Sequence, residues 1–250
     1  LQGFDVVNRL AEVTGAQIVV SGRFYQQGES LQFHAQITDA IGGTSLRSID
    51  PVSGSPEDPM IPIEALRKRV MGAFALIFDP EIKHIIDPKS QPPTYEAYRE
   101  FIEGGDLFLR GQWDRSIERF KRAVELDSTF FQPLLVMAVA HLNMGRVPIA
   151  DSIRQVLEKS LEKLTLFERQ QFKWLQAVLK GDCIAQLEEA RELAKIIHHF
   201  VWVYQVGLHA QRVNKLHEAL EAFNKINESD IGNWAQFFGV YTSVLHMLGD

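Results

Sequence analysis

Apolar residues recur at helical spacing from Phe4 to Val13 and stop at Thr14-Gly15, where glycine favours the left-handed backbone of a helix C-terminus. Beyond Gln17 the period changes, and apolar positions alternate with polar ones through Tyr25. Alternation of this kind is typical of a β-strand with one buried face. The start of the chain therefore predicts one amphipathic helix followed by a strand.

The same alternation predicts two further strands. One runs from Leu31 to Ile37, with a turn before it, and a second turn follows at Gly42-Gly43. A shorter strand is predicted from Thr44 to Ile49, and the next segment, residues 50–59, contains three prolines and is predicted to be a loop. The three strands together predict an antiparallel meander.

Helical spacing returns between Ile63 and Ile77, so that residues 1–78 predict a small three-stranded antiparallel α/β domain. Prolines are frequent in residues 79–93 and predict a linker between domains, because proline blocks helix propagation. Residues 94–250 contain amphipathic segments of helical period that are separated by Gly, Asp or Asn turns. We therefore predict an α+β chain whose second domain is entirely helical.

The helical region contains a repeat with a period near that of the tetratricopeptide (TPR) hairpin, about 34 residues. Small residues, a turn glycine and an aromatic residue recur in the first hairpin (Gly104, Gly111, Ser116, Phe120, Ala123), in part in the second (Ala138, Gly145, Ala150) and in a later one (Gly207, Ala219, Phe223). The unit between Leu166 and Ile197 is predicted to be a hairpin of irregular length, in which Trp174 and Ala190 fall out of register. This pattern resembles a TPR superhelix, and that resemblance implies a concave surface that binds a protein or peptide.

The amino-terminal region carries a second resemblance. Residues 10–22, with the sequence LAEVTGAQIVVSG, and residues 31–43 are similar to the TolB-like amino-terminal domain that precedes TPR repeats in bacterial regulators, adenylate cyclases and Ser/Thr kinase receptors. The first strand and helix of that family have no counterpart here, so we expect a chain cut at its amino terminus. The resemblance implies a bacterial signalling or regulatory protein. It leaves an alternative open, a sensory or oligomerising accessory region of a Ser/Thr kinase or adenylate cyclase.

Composition and charge limit the classes of partner that are expected. Apolar residues make up 46% of the chain and charged residues 23%, which is typical of a folded protein rather than a disordered one. The formal charge is −6 and the basic residues are scattered among acidic ones, so nucleic acid is not an expected partner. No stretch reaches the roughly 18 apolar residues that a membrane-spanning helix needs.

Catalytic, cofactor and metal signatures are weak. The densest histidines, His198-His199, His209 and His217, lack a metal-ligand spacing, and Gly42-Gly43 lacks the lysine and third glycine of a phosphate-binding loop. Cys183 is the only cysteine and is interpreted as a packed thiol rather than a nucleophile. We predict a non-enzymatic protein with no cofactor and no metal; a hydrolase would need a nucleophile and a base that the pattern does not supply.

Polar and aromatic residues on the first helix of each hairpin are the candidates for partner binding. If the repeat phase is correct, five of them face the concave surface: Tyr98, Asn143, Tyr204, Gln211 and Arg212. Asn and Arg side chains there would hold a peptide backbone or a carboxylate, and tyrosines would supply contact area. In the competing interpretation some of them only solvate the groove or pack between hairpins. Self-association into a homo-oligomer is also left open.

Overall fold

The computed structural model describes residues 3–79, 90–197, 199–227, 229 and 235–249, and the chain divides into two compact units. The first comprises Leu1–Pro80, Gln91–Arg99 and Glu125–Phe130, and the second comprises the remaining residues. The predicted linker at residues 79–93 lies largely outside the described residues, so the domain boundary stays a prediction. The α+β fold class is confirmed, because an antiparallel sheet is followed by a long series of helices.

The first unit has the predicted order of helix, three strands and helix. Its elements are α1 (Gly3–Thr14), β1 (Ile18–Gln27), β2 (Ser30–Asp39), β3 (Thr44–Gly54) and α2 (Met60–Phe78). The strands form one antiparallel sheet in the order β1-β2-β3. The core lies between this sheet and α2, where Ala35, Ile37 and Ile49 pack with Ala73.

Strand β3 is longer than the sequence pattern predicts, because the five residues after Ile49 continue the strand instead of forming a loop. The register passes from the pair Phe33–Val52 to the pair Ala35–Ile49, so two residues of β3, one of them Pro51, oppose a single residue of β2. A β-bulge on an edge strand tolerates proline, because the missing amide hydrogen is not needed by a neighbour. The predicted loop over residues 50–59 is therefore wrong in its first half.

Two later segments of the chain belong to the first unit and are held by an ion pair. The guanidinium of Arg69 on α2 donates to Asp127 through both of its terminal nitrogens, at 2.6 and 3.1 Å. The amide of Thr94 donates to the same carboxylate at 2.9 Å, and the Asp127 side chain is only 2% exposed. Arg69 also donates to the carbonyl of Pro92 and to the hydroxyl of Thr129. The buried carboxylate is thus paired with a cation and held by further hydrogen bonds, as its removal from water requires.

The remaining helices pair into hairpins. Their bounds are α3 (Tyr95–Leu109), α4 (Trp113–Leu126), α5 (Gln132–Asn143), α6 (Val147–Glu158), α7 (Leu166–Lys180), α8 (Cys183–Ile196), α9 (Phe200–Arg212), α10 (Leu216–Phe223) and α11 (Ala235–Leu248). A short 3-10 helix, Leu161–Lys163, precedes α7. The first five residues of α3 and the last two of α4 are counted with the first unit.

Each hairpin turns through one residue with a left-handed backbone. These residues are Gly111, Gly145, Gly181 and Asn214, with φ between 60° and 71°. Glycine is the usual residue at such a position, and asparagine is the most tolerant substitute. Their separations of 34, 36 and 33 residues follow the predicted repeat period. The interval before Gly181 is the longest, and it contains the additional 3-10 helix.

Candidate partner-binding surface

Close helix contact inside the hairpins depends on glycine facing an aromatic ring. A Cβ atom on Gly104 would lie 2.6 Å from Cε1 of Phe120, and one on Gly207 would overlap the ring of Phe223 in the same way. Both rings are almost fully buried. The predicted pairing of small and aromatic residues is therefore present in the first and fourth hairpins, and it fixes how α3 packs on α4 and α9 on α10.

The third hairpin has its packing residues at the same distances from the turn as the first and fourth hairpins, but the large and the small residue are exchanged. Trp174 lies seven residues before its turn residue, the place that Gly104 and Gly207 occupy in their hairpins, and Ala190 lies in the place of the aromatic ring. Both side chains are buried. The interpretation that Trp174 and Ala190 fall out of register is therefore wrong, because the large residue is on the first helix instead of the second and the pattern differs in volume, not in phase.

The first helices of successive hairpins lie side by side. Helix α5 contacts α7, and α9 contacts α11. The rings of Trp174 on α7 and Trp202 on α9 meet edge to face at 5.5 Å. The side-chain amide of Gln211 on α9 donates to Ser243 on α11 at 3.0 Å. These contacts place α5, α7, α9 and α11 in one layer, which we call the first-helix layer.

A histidine is buried inside this layer. The indole Nε1 of Trp174 donates to Nε2 of His209 at 3.1 Å, and His209 is 1% exposed. Burial, with a smaller contribution from the positive charge of Arg212, lowers the pKa of His209 to about 4. The imidazole is therefore neutral at pH 7 and carries its proton on Nδ1, an atom that has no hydrogen-bond partner within the described residues. The sequence pattern does not single out this pair, because Trp174 lies seven residues before its turn and His209 five residues before the next one, so the two are not equivalent positions of the repeat.

Two of the five predicted binding residues are buried. Tyr98 is 6% exposed, and its hydroxyl donates to Asp79 at 2.6 Å. Tyr204 is 1% exposed and packs among aromatic rings that include Phe223 and Phe237. Burial raises the pKa of Tyr204 to about 12. Both tyrosines are therefore covered by other parts of the chain, and their contribution to partner binding stays a prediction.

The other three lie at the carboxyl ends of first helices. Asn143 is the last residue of α5 and is exposed, and Gln211 and Arg212 close α9. Gln211 is partly covered through its bond to Ser243, whereas Arg212 is exposed and forms no ion pair within the described part of the chain. Asn143 and Arg212 each lie two residues before the turn residue of their hairpin, so they occupy equivalent places.

The histidines singled out by the sequence do not converge on a metal site in the described residues. His198 lies outside them, His199 accepts the amide of Val201 at the start of α9, and His209 is engaged with Trp174. No group of three His, Cys, Asp or Glu side chains in the described ranges could hold a metal ion. Within the same ranges, no helix combines the length and apolar character needed to cross a membrane.

Comparison with known proteins returns structural matches alone. No protein-family model matches the chain, and no curated protein matches its sequence. Among solved structures, the chain is similar to Cut9 in the APC/C hetero-tetramer Cut9-Hcn1, at 13% identity over 74% of this chain and 34% of that one, with a TM-score of 0.44. It is also similar to a thermophilic TPR protein of Thermus thermophilus, at 13% identity over 60% and 98% of the two chains, with a TM-score of 0.38.

A third match is the first TPR of Spaghetti (RPAP3) bound to an HSP90 peptide, at 14% identity over 62% and 94% of the two chains, with a TM-score of 0.26. The match to Cut9 covers about a third of the length of the Cut9 chain. Because these TM-scores are all below 0.5, the description of the second unit as a TPR-like array rests on its own turns, its glycine–aromatic contacts and its layer of first helices.

Proposed function

We propose that this chain is a non-catalytic scaffold that binds a protein or peptide along the first-helix layer of its second unit. The observation that carries the proposal is the side-by-side contact of successive first helices, which joins residues from several hairpins into one surface. A continuous surface built from one residue set per repeat is how helical repeat proteins bind extended partners.

The chemistry of this surface favours a partner that combines an apolar side chain with a carboxylate. The position two residues before each turn is occupied by Asn143, Leu179 and Arg212 in successive first helices, and the leucine is partly exposed between two polar groups. An amide group of this type bonds a peptide backbone, and the planar guanidinium binds a carboxylate through two parallel hydrogen bonds. Arg212 is available for such a contact, since it has no ion pair within the described residues.

A finer assignment belongs to the same proposal and rests on the resemblance of residues 1–78 to a TolB-like domain. We infer that the scaffold is part of a bacterial signalling or regulatory protein, in which the first unit supports the repeats. Purification of the protein from its source, followed by identification of co-purifying proteins, tests this assignment separately from the binding surface.

The binding surface is tested with an array of peptides in two forms, one with a free terminal carboxylate and one amidated. We expect binding of peptides that carry an apolar residue near a free carboxylate, and weaker binding of their amidated forms. Replacing Arg212 by Ala or by Lys should reduce the affinity for the preferred peptides by roughly tenfold or more, because alanine has no donor and lysine cannot form the two-point contact. Lys121→Ala is the matched control, since it removes an exposed cation from α4, outside the first-helix layer.

Folding of every variant is checked by its melting temperature, which an exposed substitution should leave nearly unchanged. Binding that responds equally to Arg212→Ala and Lys121→Ala would mean that the array reports net charge alone. If the Arg212 variants retain the affinity of the parent protein, the carboxyl end of α9 is not part of the binding surface.

A further inference from the structure

In the described part of the chain, the sheet of the first unit has an open edge at β1. Among the described residues, β1 pairs with β2 alone, and the strand is exposed from Gly22 to Gln27. Three of its apolar residues are exposed, Val20 by 45%, Phe24 by 68% and Tyr25 by 53%, whereas Val19 is 9% exposed. A long strand edge with exposed apolar side chains is a template for pairing with another strand.

The hydrogen-bonding groups on this edge follow from the register. The amide of Ala40 donates to the carbonyl of Gln17 at 2.9 Å, and the two-residue turn of the β1-β2 hairpin leaves Gln27 opposite Ser30. Bonded and non-bonded pairs alternate along an antiparallel ladder, so odd-numbered residues of β1 bond to β2. The amides and carbonyls of the even-numbered residues from Ile18 to Gln26 therefore point to the open edge.

The two edge strands of the sheet, β1 and β3, differ in how well they are protected against pairing with a further strand. On β3, Pro51 and its bulge interrupt the ladder, a device that prevents a further strand from pairing. Strand β1 extends over ten residues without a proline, and Arg23 is its only charged residue. The edge that lacks protection is also the one that carries exposed apolar side chains, which favours a specific partner strand.

We propose that β1 pairs with β1 of a second copy of this chain, antiparallel about a two-fold axis at Gly22. In this register the exposed Val20 lies opposite the partner subunit's Phe24, so that apolar side chains meet on one face of the sheet. On the other face Tyr25 lies opposite the partner subunit's Val19, which is already buried within its own chain. Arg23 lies opposite the partner subunit's Ser21, and no like charges meet. The even-numbered residues face each other as hydrogen-bonded pairs, as their orientation requires.

The neighbouring registers fit less well. Moving the axis to Arg23 brings two guanidinium groups directly opposite each other, which is unfavourable. Moving it to Ser21 sets Arg23 opposite the partner subunit's Val19 and leaves Tyr25 opposite a polar residue. The surface involved belongs to the first unit, so this pairing is independent of peptide binding by the second unit.

The test is sedimentation equilibrium of the full chain over a concentration series. We expect a monomer–dimer equilibrium that Val20→Glu and Phe24→Lys each weaken by about tenfold or more, since each substitution changes two cross-strand pairs in the symmetric dimer. The double variant should recover dimerisation, because the new carboxylate at position 20 then lies opposite the new ammonium at position 24 of the other copy. Val13→Lys is the control, as it alters a residue of α1 that is 80% exposed and lies outside β1.

Hydrogen exchange supplies a second readout on the same samples. Dimer formation should slow exchange at the amides of Val20, Gly22 and Phe24 as protein concentration rises, whereas the odd-numbered amides should be protected at all concentrations. A chain that stays monomeric at every concentration overturns the proposal. Protection of the even-numbered amides that does not depend on concentration also overturns it, because another segment would then cover the edge. Failure of the double variant to recover dimerisation refutes the register.

Discussion

Two adjacent glycines on α3 allow the hairpin packing to be tested with an internal control. A Cβ atom added to Gly104 would lie 2.6 and 2.8 Å from two ring carbons of Phe120 and 3.2 Å from Cβ of Arg119. A Cβ added to Gly105 meets no atom within 4 Å. Both residues lie inside the same helix, so the substitutions Gly104→Ala and Gly105→Ala differ in the contact alone.

The magnitude follows from the geometry. Alanine is favoured over glycine inside a helix by roughly 1 kcal/mol, and this gain applies to both variants. Carbon atoms in contact normally lie about 3.5–4.0 Å apart, so at position 104 the ring of Phe120 must move by about 1 Å. That ring is fully buried and packs on Phe101 at 5.8 Å between centroids, so it has little space. Overpacking of this kind costs about 1–3 kcal/mol.

We therefore expect Gly105→Ala to stabilise the protein by up to about 1 kcal/mol and Gly104→Ala to be less stable than Gly105→Ala by about 1–3 kcal/mol. Urea unfolding followed by the helical circular dichroism signal measures both. The difference between the two variants is the informative quantity, since the helix-propensity gain cancels in it.

A second substitution separates the contact from any other effect at position 104. Phe120→Leu removes the ring carbons that the new methyl group would meet, so in this background the difference between the two alanine variants should shrink by about 1 kcal/mol or more. Equal stability of Gly104→Ala and Gly105→Ala in the parent protein would refute the reasoning, because it would show that α3 and α4 do not pack through this glycine.

Three further predictions concern the ion pair, the buried histidine and the fourth hairpin. Asp127→Asn should reduce the free energy of unfolding by about 3 kcal/mol or more, because it leaves the guanidinium of Arg69 without its buried partner. Asp151→Asn, which breaks a solvent-accessible pair within one helix, should have a much smaller effect in the same urea titration. The pKa of His209 is about 4 in the folded chain and near 6.5 when exposed, so the unfolded chain takes up the proton first as the pH falls. The stabilising contribution of neutral His209 should therefore be complete above pH 6.5 and decrease between pH 6.5 and 4, by at most about 1.4 kcal/mol per pH unit. Urea titrations at pH 7.5 and 5.0 should show a smaller pH effect in His209→Gln than in the parent protein, and an equal effect in the two proteins would contradict this assignment. Ala219→Phe should destabilise by about 1–3 kcal/mol or more, because Ala219 is fully buried against α9, and an unchanged melting temperature would show that the repeat phase is wrong there.

Periodicity and turn residues were sufficient to predict most of the local structure. The alternation between Ile18 and Ile49 predicts the meander, because a strand that buries one face needs an apolar residue at every second position. The left-handed turn at Gly111 and its equivalents follows from the residue type, since glycine accepts a positive φ without steric cost. Gly104 and Phe120 could be paired from the sequence because both lie at fixed distances from that turn. These features are local, and they depend on backbone conformation and on the spacing within one hairpin.

The candidate surface was predicted in part, and the missing part depends on neighbours. Spacing places Tyr204 and Gln211 on the same side of α9, as two helical turns require. This spacing does not indicate that the rings of Phe223 and Phe237 cover Tyr204. It also does not indicate that Arg212, at the end of the helix, stays exposed. The period of a helix sets the direction of a side chain, and the packing of other helices decides whether that direction leads to solvent.

Contacts between distant residues were decided by the tertiary structure alone. Arg69 and Asp127 are 58 residues apart, and no motif spacing links them. Trp174 and His209 are 35 residues apart, about one repeat, but they lie seven and five residues before their turns, so the repeat pattern does not pair them. From the sequence alone, Arg69 and Asp127 would be interpreted as surface charges, Trp174 as a core residue and His209 as an isolated histidine. Burial sets the chemistry of these groups: removed from water, the carboxylate of Asp127 needs its cation, and the imidazole of His209 stays neutral at pH 7. The sequence specifies which groups can ionise or bond, but the solvent exposure that sets the strength of each interaction exists only once the helices and the sheet have packed.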